Sequence, residues 1–499
     1  MNLGRNIMAG FLGQALVSVI SLGALPILLR QMGAEGYGLV GFFGTLQASF
    51  ALLDLGLTTT VSRETARFLG GASSVEHFSR LCRALTVFFL ATATLAVVVL
   101  WSLVPMMSER WLKPTALSST QVASALQLMV VSVAARWFSG FYRGVVTGAE
   151  RIVWLSTFNA LISFFRFVAV FPTMWCFGYS VEVFFWHQVV VSGIELLIVY
   201  IKARRLMPLQ VVLDDSPGSS LGALKSIWGL SSTVAVTSAS WVLVTQADKF
   251  VLAGVLPLGD FGYFSLAVAL ASGIMVIAGP IGTAIMPRMA RLEAEGDAVA
   301  VADLYRRATR TMSLFVLPAG LVLSLFSPQV LWVWTGDSAV ADKSHLVLSF
   351  YAVGYALLAL TSLAYYLQFA KGELRLHLIG SIAGVGWLVP GVIWSVEHFG
   401  LNGPGGIWLG LHLLYLAVWI PVIHRRFLPG THVEWLARDV VKPLMFVSIA
   451  GFLMASWLEF PDGRLGSFIF LVVLYLFLVA IVFFGSWHRD GRVNGFLWG

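Results

Sequence analysis

Apolar stretches of roughly 20 residues, each about the length a helix needs to cross a ~30 Å hydrocarbon layer, follow one another along the whole chain with little between them. We count fourteen, at about 7–29, 37–57, 84–107, 121–141, 152–177, 181–201 and 227–247, then 261–285, 312–334, 346–369, 376–394, 405–423, 444–458 and 465–485. Lipid offers the backbone no hydrogen-bond partner, so stretches of this length are read as helices. Composition closes the other classes: 58% of the 499 residues are apolar and 11% are charged, against about 25% charged in soluble domains. A soluble enzyme, a disordered chain and a collagen-like repeat are excluded. The expected fold is an all-α integral membrane protein with about fourteen transmembrane helices.

Orientation follows from the short loops, because Lys and Arg are retained on the cytoplasmic side. With a cytoplasmic N-terminus, 24 of the 32 basic residues fall on the inside, and only Arg30, Arg110, Lys113, Lys249, Lys343 and Arg464 fall outside. Arg136 and Arg166 lie within spans. Both termini are therefore expected in the cytoplasm, and the net charge of +7 is a matter of topology that calls for no nucleic-acid partner. The first stretch is too long for a signal peptide's apolar run of about 7–15 residues. Cys82 and Cys176 fall near opposite membrane faces, too far apart for a disulfide.

The longest connections, 58–83, 202–226, 286–311 and 424–443, are all cytoplasmic, and the outside loops are short. An enzyme with an external active-site domain has no room here. No phosphate-cradling glycine loop, nucleophile elbow or Cys/His cluster occurs, and His187, His377 and His412 stand isolated, without metal-ligand spacing. No metal and no cofactor is expected.

The chain repeats itself. Glu35, in the run Met32 to Gly38, lies 28 residues before Arg63; Asp260, in the run Leu256 to Tyr263, lies 28 residues before Arg288. In both copies an acid in a glycine and aromatic turn opens an outside-to-inside helix that ends at a basic stretch. The copies begin six spans apart, so they share one orientation, which implies a pseudo-two-fold axis along the membrane normal. The expected organisation is an N-lobe of six spans at 1–201, a cytoplasmic linker at 202–226, a C-lobe of six spans at 227–426, and two further helices with a cytoplasmic tail at 427–499.

The run Leu3, Gly4, Arg5, Asn6 and Ile7, with Gln14, the turn Gly36, Tyr37 and Gly38, and the stretch from Leu52 to Gly56 leading to Ser62 through Arg67, resembles the polysaccharide transporter family. That family contains the O-antigen and exopolysaccharide flippases. In the second half, Gln246 to Lys249, Phe261 to Tyr263, Met286 to Arg288 and Trp334 to Asp337 are similar to the corresponding stretches, so the likeness covers about 1–426. The resemblance implies the fold of the multidrug, oligosaccharidyl-lipid and polysaccharide flippase superfamily: two six-helix lobes around a cavity that opens alternately to either side. It implies a substrate as well, an undecaprenyl-pyrophosphate-linked oligosaccharide turned from the cytoplasmic to the periplasmic leaflet of a bacterial inner membrane, with membrane lipids and a polysaccharide polymerase complex as partners. An ion-coupled multidrug or organic-cation antiporter of the same superfamily is the alternative.

Charged side chains within spans cost at least a few kcal/mol, which makes each a candidate for function. Ser156, Asn159, Ser163 and Arg166 form one polar face of the fifth span, with Arg166 near mid-membrane. A guanidinium holds phosphate oxygens in a two-point contact without losing its charge; the alternative is a buried Arg bonded to helix carbonyls or paired with an acid. Arg136 shares a face with Ser132, Ser139 and Arg143, and either receives phosphate first or snorkels or pairs with Asp54. Gln14, with Ser18 and Ser21, suits sugar hydroxyls or plain helix packing. Glu195 is the first choice for coupling to H⁺ or Na⁺, followed by Asp54, for which the alternative is a structural role near Arg63 and Arg67, and Asp248, for which it is a local ion pair with Lys249. Arg63 and Arg288 end matched helices, where they serve a cytoplasmic gate, a lipid headgroup or topology alone. Pro26, Pro172, Pro280, Pro318 and Pro390 can bend their helices.

Overall fold

The computed structural model describes residues 3–50, 52–54, 56–207 and 239–487. Every regular element among them is a helix. Among the described residues, eleven helices are long and apolar enough to cross a membrane. Two of these, Met8–Phe50 with 43 residues and Arg375–Phe427 with 53, run to about 65 and about 80 Å at about 1.5 Å per residue, more than twice the ~30 Å hydrocarbon layer. Each holds two of the expected spans. The first breaks at Gly33, whose φ of 74° lies in the left-handed region, and the second at Gly400, with φ 57°. The linker expected at 202–226 and the seventh span expected at 227–247 lie, over 208–238, outside the described residues.

The chain packs as two compact units, Met1–Gly262 and Tyr263–Gly499. The first contains α1 (Leu3–Phe50), α2 (Leu57–Leu69), α3 (Val75–Met106), α4 (Ser119–Gly148), α5 (Ile152–Phe167), α6 (Val170–Phe177) and α7 (Val181–Leu206). Residues 239–255 form α8, and α9 (Leu258–Ser272) begins within this unit. Helix α4 is its centre, packed against α2, α3 and α7. Glycine makes the contact with α2 close: a Cβ on Gly148 would stand 2.2 Å from the Ser62 carbonyl oxygen, and one on Gly144 would stand 2.8 Å from that of Thr58. Small residues at four-residue spacing let helix backbones meet where lipid supplies no hydrophobic drive.

The entry to α4 is built from polar groups. Ser118 and Gln121 form a reciprocal capping box. Just before it, the Glu35 carboxylate accepts the backbone N–H groups of Thr115 at 2.7 Å, Ala116 at 2.9 Å and Leu117 at 2.8 Å. An acid therefore ties the turn after Gly33 to the start of α4. Asp260 stands in the first turn of α9, so both acids of the sequence repeat open a helix.

Helices α5 and α6 are one expected span interrupted at Val168 and Ala169. Pro172 has no N–H to continue the ladder. Neighbouring side chains take up the carbonyls released at the break: Gln188 Nε2 donates to the Arg166 oxygen at 3.1 Å, and a His187 ring nitrogen lies 2.9 Å from that of Phe165.

The second unit contains α10 (Ile274–Ala294), α11 (Ala298–Leu325), α12 (Ser327–Thr335), α13 (Ser338–Ala370), α14 (Arg375–Phe399), α15 (Gly403–Leu414) and α16 (Ile420–Phe427). Helix α13 packs against α10, α11, α12 and α15, and its Tyr351 stacks on Trp408 at 5.2 Å between centroids. Two helices, Lys442–Trp457 and Arg464–Val482, follow and lie against α11. The fully buried Asp439 fastens their entry segment, bonding Arg306 Nε at 2.8 Å and Arg310 Nε at 2.7 Å on α11. Trp435 Nε1 donates to Thr309 in the same contact.

Candidate functional site: an arginine-lined cavity in the first unit

Helices α4 and α7 run parallel in register. Ser132 and Ser192 share a 2.8 Å hydrogen bond, and one turn further along both helices Arg136 faces Glu195. Arg143, two turns after Arg136, points to the same acid, and α5 brings Arg166 from the other side. Glu195 Oε1 accepts from Arg143 Nη2 at 2.5 Å, and its Oε2 accepts from Arg166 Nη2 at 2.7 Å. Arg136 Nε is 3.8 Å from Oε2. Three guanidinium groups thus surround one carboxylate that is 2% exposed, and the cluster carries a formal surplus of two positive charges.

These groups line a cavity of about 640 Å³, whose wall also includes Gln14, Gln47, Asp54, Trp137, Asn159 and Ser163. Three buried polar atoms on that wall lack a hydrogen-bond partner, Arg166 Nη1, Ser163 Oγ and Trp137 Nε1. Buried polar groups are seldom left unmatched; here all three belong to residues that line open space. Arg143 is held by Glu195 through one terminal nitrogen and by Asn159 Oδ1 at 2.5 Å through the other.

Of the residues singled out from sequence, the structure brings Arg166, Arg136, Asn159, Ser163, Gln14, Glu195 and Asp54 to one cavity wall. Ser156 is not on it: it packs on Gly13 of α1, where a Cβ would come within 2.9 Å. Two expectations need correction. Asp54 is not on the second span but in the turn between α1 and α2, where it accepts from Thr58 Oγ1 at 2.5 Å, because the helix stops at Phe50 and restarts at Leu57. The acid that faces Arg136 is Glu195, not Asp54. Asp248 lies away from the cavity wall, with Lys249 Nζ 3.1 Å from its Oδ1. Arg63 and Arg288 are both exposed. Sequence reasoning missed Arg143 as a site residue by counting it with the cytoplasmic connection. The signal was present, since Arg136, Ser139 and Arg143 recur at spacings of 3 and 4 on one helix face.

Comparison with known proteins bears on this arrangement. The model of a family described as polysaccharide biosynthesis protein matches residues 3–293. A Shigella flexneri protein provisionally named an O-antigen transporter is 20% identical over 413 residues, covering 82% of this chain and 94% of that one. Among solved structures, the lipid II flippase MurJ in an inward closed conformation superposes with a TM-score of 0.69 at 14% identity, covering 96% of this chain and 98% of that one. A multidrug resistance MATE family transporter in an inward-facing conformation gives 0.64 at 14% identity, with coverage of 89% and 96%. At such identities the structural likeness speaks to the fold, which is that of the superfamily the sequence resembled, and the relatives are transporters and flippases. The chain is a multi-pass membrane protein that belongs to the polysaccharide biosynthesis protein family, on the family model's match to more than half of its length.

Proposed function

We propose that the protein is a flippase that moves an undecaprenyl-pyrophosphate-linked oligosaccharide from the cytoplasmic to the outer leaflet of a bacterial inner membrane by alternating access. The observation that carries this reading is the surplus of positive charge on the cavity wall, where Arg136, Arg143 and Arg166 face one Glu195. A pyrophosphate diester carries two negative charges through a layer whose lipid tails exclude them, and guanidinium groups supply fixed donors along that route. Gln14, Gln47, Asn159 and Ser163 on the same wall suit sugar hydroxyls. Arg63 and Arg288 serve at the cytoplasmic ends of their helices, both termini stand in the cytoplasm, and membrane lipids surround the protein. A polymerase complex receives the flipped unit.

The organic-cation antiporter remains the second reading because MATE transporters share the fold. A wall with three arginines repels cations, which favours the lipid-linked anion. Proteoliposomes test this directly. Wild-type protein is expected to carry undecaprenyl-pyrophosphate oligosaccharide across the bilayer. Export of organic cations with no lipid movement would establish the antiporter instead.

A further inference from the structure

Resting on the reading that this cavity takes an anionic headgroup, we propose that Glu195 is a resident stand-in for the phosphate, displaced from the arginines when the anion binds and taking up one proton as it leaves them. Anion and proton would then load together. The geometry points to this exchange. Arg143 and Arg166 have four terminal nitrogens between them, and three are engaged: two by Glu195 and one by Asn159. Only Arg166 Nη1 is unmatched. A two-point grip by Arg143 or Arg166, end-on or side-on, draws on its Nη2, and Glu195 holds that nitrogen in both, so the anion gains such a grip only where Glu195 lets go.

Once displaced, the carboxylate keeps one counter-charge, Arg136, whose Nε at 3.8 Å is beyond hydrogen-bond reach. Glu195 is 2% exposed and would stand beside a bound anion, and two like charges in a buried site disfavour each other. A proton from solution on a Glu195 oxygen removes the conflict. The Arg143 and Arg166 bonds to Glu195 break, equivalent bonds to phosphate oxygens form, and the acid is left neutral. The groups facing Glu195 are accounted for: Arg136 and Arg143 come from α4 and Arg166 from α5. Helix α6 offers only Cys176, which is exposed. On its own helix, His187 is engaged by Thr173 and the Phe165 carbonyl. Asp54, elsewhere on the cavity wall, is bonded to Thr58.

The test is sulfate binding to the full-length protein in detergent, since sulfate has the shape of phosphate and no proton to exchange near neutral pH. Wild-type protein is expected to take up about one proton per sulfate bound, and its affinity to fall by up to about tenfold per pH unit where Glu195 is ionised, as linkage of one proton requires. Glu195→Gln copies the neutral acid. It is expected to bind sulfate more tightly than wild type at neutral pH, with no proton uptake and a flat pH profile, and a misfolded variant could not produce that gain. Proton uptake by wild type is measured without any variant, so the proposal stays testable if Glu195→Gln does not fold. Sulfate binding without proton uptake, or with Na⁺ required in place of the proton, overturns the coupling and leaves the flippase reading intact. Wild-type protein that binds no sulfate and flips no lipid-linked glycan overturns both.

Discussion

Replacing Arg166 with Met should separate stability from transport. The Nη2 bond to Glu195 at 2.7 Å is charge-assisted and contributes about 1.5–3 kcal/mol. The other terminal nitrogen, Nη1, is buried without an acceptor, and such a donor costs about 1–3 kcal/mol. The substitution removes both, so the two effects nearly cancel and the expected net destabilisation is about 1 kcal/mol or less. Glu195 does not become a lone buried charge, because Arg143 at 2.5 Å and Arg136 at 3.8 Å remain. Glu195→Ala is the contrast: it strands three guanidinium groups, and breaking a buried pair of this kind costs about 3–5 kcal/mol.

Transport should respond the other way. Loss of a two-point phosphate contact is expected to slow flipping by Arg166→Met about tenfold or more, equivalent to about 1.4 kcal/mol. Thermal unfolding followed by tryptophan fluorescence, alongside flipping in proteoliposomes, reads both quantities on one preparation. If Arg166→Met unfolds as early as Glu195→Ala, the balance drawn for Arg166 is wrong. If it flips at the wild-type rate, Arg166 does not touch the headgroup.

Asp439→Asn removes the charge that holds Arg306 and Arg310 at a fully buried point; thermal unfolding should show a loss of about 3–5 kcal/mol, with the entry to the last two helices the first part opened to protease. Gly148→Val drives a side chain into the Ser62 carbonyl and should cost about 1–3 kcal/mol in the same assay by overpacking, whereas Gly23→Ala, with open space around it, should unfold like wild type. Cys176 is exposed and Cys82 half-buried; with a cytoplasmic N-terminus, a membrane-impermeant maleimide should label Cys176 in intact spheroplasts and reach Cys82 only after lysis. The reverse pattern would invert the topology.

Much of the fold was legible because lipid imposes two local rules, apolar length and retention of positive charge, and both can be read without knowing which helices touch. The polar face of α5 was legible for the same reason: Asn159, Ser163 and Arg166 share a helix side at fixed spacing, and all three line the cavity. The bond from Glu195 to three arginines was not. It depends on α4, α5 and α7 meeting at one level, and spacing within a helix says nothing about register between helices. Arg306 and Arg310 illustrate the same limit. Their place in a cytoplasmic connection explained them fully by charge retention, while their partner Asp439 lies more than a hundred residues away. Asp54 was misplaced because apolar residues continue through 51–53, so hydropathy runs on past the point where the helix ends.

The single acid shared by three cations also constrains how the protein enters the bilayer. Synthesis delivers α4 first, with Arg136 and Arg143, then α5 with Arg166, and only afterwards α7 with Glu195. An Arg at the centre of an inserting helix is opposed by about 2.5–3.5 kcal/mol at the translocon. Arg136 and Arg166 therefore reach the insertion machinery before their counter-charge exists. Helices α4 and α5 gain by lingering at the protein-lined exit until α7 arrives, so these elements should leave for the lipid as a group, with Glu195 as the residue that releases them.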